Sequence, residues 1–405
     1  MTRGVRRATA VLIAALAALA IPVAASAHAD LGYSSPPANA HLGITPGVVV
    51  LEFTQTLNPQ LSSASVVDPS GRDWKGVVDS GEEIRIPLAT NVPGVYAVDW
   101  VSVSQVDGHR LTGSFTFDVG VVGGGLSPEQ AENQTPGPQL SDIAIGAVKW
   151  IEALALLFLV GQVLVSRLAR REPRLTWVTP GFHAASVALS AGLVVVWAEA
   201  TVGSGGHSLS NYLAYFESGL SGAALIARLV LEALTLLAVV RGWRTLLPLF
   251  LGGTLVLLAA GGHAAGVQPS WLGIALDAVH LVAAGVWAGG IAALAIVRPP
   301  GGWRSVDARQ LLGRFTPVAL AAFGTTVVAG GLEAIEQLGS VQSLFGTDYG
   351  RVLLAKMALV VCMLPLSLTA WRLGRPHVRI EASIAICVVG AAALLASFPA
   401  PPTTA

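Results

Sequence analysis

The sequence predicts two unlike parts in series. An exported all-β domain, a small sandwich or barrel, is followed by an all-α polytopic membrane domain of about eight transmembrane helices. Three observations carry this. The 405 residues are 53% hydrophobic and only 12% charged, with a mean hydropathy of +0.66, more apolar than a soluble chain. Residues 28–120 alternate apolar and polar positions in short runs, and residues from 141 onward form long apolar stretches.

The elements follow in order. Residues 1–27 carry Arg3, Arg6 and Arg7, then "AVLIAALAALAIPVA", then the small-residue site Ala25-Ser26-Ala27, the pattern of a cleaved signal peptide. The next segment shows β alternation in "VVVLEF", "GVYAVDWVSV" and "GSFTFDV". Turn clusters "SSPPANA", "DPSGRD" and "DSGEE" separate these runs. Residues 121–141, rich in Gly, Pro and Gln, read as a linker. Residues 142–400 hold the expected spans, near 143–166, 181–203, 222–240, 244–261, 272–297, 315–336, 350–371 and 380–399. Each is close to the ~20 residues that cross ~30 Å of hydrocarbon.

Charge fixes an expected orientation. The loops at 167–180, 241–244, 298–314 and 372–379 hold thirteen arginines, and the loops at 204–221, 262–271 and 337–349 hold no Lys or Arg. Positive residues stay inside, so the β-domain and the C-terminus are expected outside a plasma or inner membrane. The exported segment from His28 to Leu140 has 12 Asp/Glu against 4 Lys/Arg, a balance of −8, which suits cations and argues against nucleic acid. The sequence has no G-x-x-x-x-G-K-[ST] phosphate cradle, so no nucleotide is expected. Both cysteines, Cys362 and Cys387, lie in the apolar half, which leaves the exported domain without a disulfide framework.

Cleavage after Ala27 makes His28 the first mature residue. Its freed α-amine and ring Nδ1 can chelate one metal ion together. The segment "SQVDGHRL" adds Asp107 and His109, two apart and on one face of an extended chain. An isolated D-G-H is ordinarily a surface turn; coincidence with a histidine at the cleavage site makes it a candidate ligand pair. Three nitrogens and one carboxylate oxygen suit tetragonal Cu(II). Residues 28–120 contain no Met or Cys for Cu(I).

On these residues the segment "HADLGYSSPPANAHL…VVVLEFTQTLNP…GVYAVDWVSVSQVDGHRLTGSFTFDV" resembles the copper-resistance protein C (CopC) family. The resemblance implies a cupredoxin-like sandwich binding Cu(II) through His28, Asp107 and His109. His41 is read as a surface histidine rather than an accessory ligand.

In the helical half the rare polar residues carry the information. His263 lies at the outer end of the fourth expected span, and Asp277 and His280 share a face of the fifth, ~8 and ~12 Å below the outer boundary at ~1.5 Å per residue. They form the expected membrane copper path, for either Cu(I) or Cu(II). Arg228 and Glu232, four apart, read as an internal ion pair, and Lys356 as a neutraliser of Asp277 or Glu333. Glu152, Glu199 and His207 have no assigned role. "GHA", "DAVHLVAAGVWAGGI", "RFTPVAL" and "YGRVLLAKMALV" resemble the copper-resistance protein D (CopD) family. A CopC–CopD fusion looks like the YcnJ-type copper-import proteins, which implies capture outside and movement inward, with a copper chaperone or reductase as a further partner.

Three other functions compete with import. A resistance buffer or sensor would bind copper without flux. A histidine-brace copper oxidase needs an open coordination position, which Asp107 would fill, so no enzyme is expected. A bis-histidine haem carrier needs paired depths, and His183, His207, His263 and His280 do not match in depth.

Overall fold

The computed structural model describes residues 29–78, 81–106, 108, 110–120, 140–175, 183–204, 208–217, 219–261, 264, 269–338, 341–346, 348–373 and 378–395. The expected signal peptide, nearly all of the expected linker, His28, Asp107, His109, His207 and His263 lie outside them.

Among the described residues nine strands build the β-domain: β1 (Leu31–Ser35), β2 (His41–Leu42), β3 (Val48–Phe53), β4 (Ser63–Val67), β5 (Asp73–Lys75), β6 (Val77–Val78), β7 (Glu83–Pro87), β8 (Gly94–Val103) and β9 (Arg110–Val119). One sheet has the order β1-β3-β7-β6 and the other β2-β9-β8-β4-β5. All pairings are antiparallel except β2 with β9. The alternation read from sequence is the cause of this sandwich. Tyr96 and Val98 of β8 and Phe115, Phe117 and Val119 of β9 point into the core, where they meet Val49, Leu51 and Phe53 of β3 and Ile84 and Ile86 of β7. Tyr96 stacks on Phe117 at 5.0 Å, and Trp100 meets Phe53 edge-on at 5.4 Å.

The β4–β5 turn is tied by one carboxylate. Buried Asp68 accepts from the Ser70 hydroxyl at 2.5 Å and the Trp74 indole at 3.0 Å, and from the backbone N–H groups of Ser70 and Arg72. Those donors, the Ser70 hydroxyl foremost, hold its pKa at about 2, below the ordinary 3.8. A carboxyl held low stabilises the fold above its unfolded pKa and loses that contribution as pH falls through the folded one. The difference in thermal unfolding between wild type and Asp68→Asn is therefore expected to be full at neutral pH, and to close as pH drops from about 4 toward 2.

The helical half comprises α1 (Leu140–Ala169), α2 (His183–Ser204), α3 (Leu209–Phe216), α4 (Gly219–Arg241), α5 (Leu247–Ala260), α6 (Ser270–Ile296), α7 (Val306–Leu338), α8 (Val341–Gly346), α9 (Asp348–Leu373) and α10 (Val378–Leu395). Among the described residues five helices, in α1, α2, α4, α6 and α7, are long and apolar enough to cross a membrane. Each of the eight expected spans overlaps a helix of the described residues, and five of these helices meet the length and apolarity of a span. The fourth shrinks to the 14 residues of α5, with Pro248 in its first turn and Gly261 capping its end. The linker boundary also moves, because α1 already starts at Leu140 rather than after residue 141. Part of the expected 298–314 loop is helix, since the Ser305 hydroxyl accepts from the Ala308 N–H and starts α7.

Helix α1 packs against α2, α6 and α10. Its contact with α6 is a glycine seam. A π-helical turn at Gly285–Gly289 interrupts α6. A Cβ on Gly289 would collide with the Leu157 carbonyl, and one on Gly161 would collide with Gly289 itself. Arg314, opening the "RFTPVAL" motif, donates to the carbonyls of Leu168 (2.8 Å), Arg171 (3.0 Å), Glu172 (3.2 Å) and Pro173 (3.1 Å). This cation satisfies the chain end of α1 and pins α7 to it.

Candidate functional site

The described residues around the expected copper ligands form one closed corner of the sandwich. Ala29, next in chain to His28, is 1% exposed, and its carbonyl accepts from the Ser102 hydroxyl on β8 at 2.7 Å. Two residues further along, the Ser104 hydroxyl donates to Gln55 Oε1 at 2.6 Å and accepts from the Val106 N–H at 3.0 Å. The Gln105 N–H bonds to the Thr56 carbonyl at 2.9 Å, and the Gly108 N–H to the Ser104 carbonyl at 3.0 Å. Gly108 has φ +70°, the left-handed region, so the middle residue of D-G-H is glycine for a backbone reason. Ser102 and Ser104, both buried, thus bring Ala29 and Gly108 to the same end of β8.

His41 is elsewhere. Its Nδ1 lies 2.5 Å from Asp118 Oδ2, in the β2–β9 register. Asp118 is eight residues along β9 from Arg110, roughly 26 Å at ~3.3 Å per residue. The His41 side chain is exposed.

The β-domain is seated on the helices. Leu61 and Val103 join a buried cluster with Val196 and Ala200 of α2, Ala214 and Tyr215 of α3, and Leu225 of α4. Asn58 Nδ2 donates to the Ala214 carbonyl at 3.4 Å. Sequence reading missed α3 inside the expected outer loop 204–221. Its signal is the capping serine Ser208, whose hydroxyl accepts from the Asn211 N–H at 3.2 Å. Val103 ends β8 just before the D-G-H turn, so the candidate metal corner adjoins this seat.

Two polar clusters sit among the helices. In the first, Asp277 and His280 of α6 share a face, as expected, with Lys356 of α9 close to Asp277 and to Glu333 of α7. The imidazole lies against Gly330, where a Cβ would come 2.6 Å from its Cε1. His280 Nδ1 is buried with no hydrogen-bond partner among the described residues. No group of three or more His, Cys, Asp or Glu poised for a metal occurs among the described residues. The sulfur donors do not converge either. Met363 is buried, whereas Met357, Cys362 and Cys387 face out of the bundle.

The second cluster joins α1, α2 and α4. Arg228 Nη1 is 3.3 Å from Glu152 Oε1, and Arg228 Nε is 3.8 Å from Glu232 Oε1. Lys149, one turn from Glu152, pairs with Glu199 at 2.6 Å. The Arg228–Glu232 ion pair was legible at i,i+4 spacing; its junction with Glu152, seventy-six positions away in the chain, was not.

Residues 31–120 match the model for the CopC domain, and residues 309–395 the model for copper resistance protein D. Over 95% of its length the chain is 30% identical to the copper transport protein CutJ of Bacillus subtilis, covering 76% of that protein. The chain belongs to the CutJ family of CopC–CopD fusions. Protein YobA of Escherichia coli is 33% identical over 29% of this chain and 95% of its own. Copper resistance protein C of Pseudomonas syringae pv. tomato is 33% identical over 25% of this chain and 89% of its own. The crystal structure of CopC from Methylosinus trichosporium OB3b is 28% identical and covers 23% of this chain and 93% of that one, with a TM-score of 0.21. In this CutJ-family chain the matched CopC region is the sandwich, and the CopD match begins within α7 and runs through α10.

Proposed function

We propose that this CutJ-family chain acquires copper: the exported sandwich captures Cu(II) through the His28 amine and imidazole, Asp107 and His109, and the helical domain moves copper inward. The observation that carries the reading is the corner built by Ser102 and Ser104, which gathers the residue after His28 and the glycine between Asp107 and His109 at one end of β8. A nitrogen-rich, sulfur-free donor set favours the oxidised ion. The arginine-rich loops support a topology with the sandwich and the C-terminus outside and eight spans between them. His263, Asp277 and His280 then lie toward the outer half, where an arriving cation meets them first.

The hand-off is testable by separating capture from passage. Asp277→Asn combined with His280→Ala is expected to abolish copper uptake by vesicles and leave Cu(II) binding by the outer domain unchanged. Uptake at the wild-type rate assigns that helix face to packing alone. Deleting the protein and measuring cell copper under limitation decides direction. Lower copper supports acquisition, and higher copper supports a resistance role without import.

A further inference from the structure

The cluster under the seated β-domain has a charge balance that copper capture does not use. Glu152, Arg228 and Glu232 are 1%, 3% and 1% exposed, deep among α1, α2 and α4. One guanidinium faces two carboxyl groups, so full ionisation would leave a net negative charge buried in hydrocarbon, which is costly. The geometry also falls short of full pairing. Glu152 Oε1, both Glu232 oxygens, and Arg228 Nε and Nη2 are buried with no hydrogen-bond partner among the described residues. Buried polar atoms ordinarily have partners, and the Glu152 and Glu232 carboxyls lie within hydrogen-bond reach of each other, two acceptors without a donor between them.

The missing ligand is small and positive. A metal cation is repelled by the guanidinium in the middle. A hydrated ion also lacks room, because the Glu232 carboxyl rests against Gly192 so closely that a Cβ there would clash with Oε2. A proton satisfies both conditions, since it neutralises the extra carboxylate and supplies the donor that the facing oxygens lack. Among the described residues the surroundings add no unpaired cation that would do so, because Lys149 is matched by Glu199. Helix α1 contributes Lys149 and Glu152, α2 contributes Glu199, and α4 contributes Arg228 and Glu232. Helices α3 and α5 carry no charged residue, and Asp277 and His280 of α6 lie with Lys356 in the other cluster. Lys149 and Glu199 are each about a fifth exposed, a partly open pair beside an otherwise sealed site.

We propose that Glu152 and Glu232, bridged by Arg228, form a membrane-embedded proton-binding site of this protein, filled from the outer side through the Lys149–Glu199 pair. In the step, an O–H bond to the Glu199 carboxyl breaks as one forms at the Glu152–Glu232 pair. Glu199 then recovers a proton from outer water, and nothing is oxidised or reduced. The outer side rests on the topology proposed above; the proton site itself does not.

The test is infrared spectroscopy of the full-length protein, copper-free, in right-side-out vesicles, reading the carbonyl stretch of a protonated carboxylic acid. The folded wild type is expected to show that band at neutral pH and to lose it when the outer bath is made alkaline. Glu152→Gln and Glu232→Gln are each expected to lack the band, because a single carboxylate then pairs one-to-one with Arg228. Absence of the band from folded wild type overturns the proposal, as does its survival in both variants. Loss of the band only when the interior is made alkaline overturns the outer route. The wild-type titration decides even if a variant fails to fold, and because no copper is present the result is separable from the acquisition reading.

Discussion

Adding one residue ahead of His28 in the mature full-length protein is expected to weaken Cu(II) binding by roughly two to three orders of magnitude, about 3–4 kcal/mol. A peptide bond would deny the metal the proposed α-amine ligand and the chelate ring it would close with the imidazole. Asp107 and His109 are untouched, so the loss measures the chelate alone. Competition titration against a Cu(II) chelator reads it, with electron spin resonance reporting how many nitrogens remain. Equal affinity with and without the extension removes His28 from the site. The fold should not change, because the anchor is one residue later, where buried Ala29 is held by Ser102.

Gly289→Leu should prevent the helical half from assembling. The added side chain has nowhere to go. A Cβ already overlaps the Leu157 carbonyl of α1, Gly161 meets the Gly289 backbone as closely, and Gly285 lies against the Val160 side chain. Overpacking a core costs about 1–3 kcal/mol when side chains yield, but here the obstacle is backbone, so the expected loss is at or above the top of that range. Small residues permit such helix approaches in membranes. Monodispersity and thermal unfolding of detergent-purified protein report the effect. Gly252→Leu is the matched control, with open space around its Cβ position. Equal stability of the two variants would show that the seam is not tight.

The sandwich was readable because its period is two. Tyr96, Val98, Phe115, Phe117 and Val119 alternate with polar neighbours, and those residues form the core. Asp277 and His280 were likewise paired by i,i+3 spacing, a local property of one helix. Three features were not legible, and each depends on distant chain segments. Helix α3 hides in a loop-like composition and is stabilised by burying Ala214 and Tyr215 against β-domain residues Leu61 and Val103. The partner of Glu152 lies on α4, with α2 and α3 between them in the chain. Arg314 counted in sequence as an inside charge and as the start of the "RFTPVAL" motif, whereas its donors close the end of α1.

Composition, alternation and the arrangement of arginines were enough to divide the chain into sandwich and helices, and the cleavage pattern and the D-G-H motif to nominate the copper ligands, because each is set by a residue's near neighbours and its preference for water or hydrocarbon. Which helices touch, where the sandwich sits on them, and which buried charges meet were decided by tertiary packing. The residues that meet are brought together by close approach of remote segments, and the energy of a buried charge depends on what stands opposite it rather than on what precedes it in the chain.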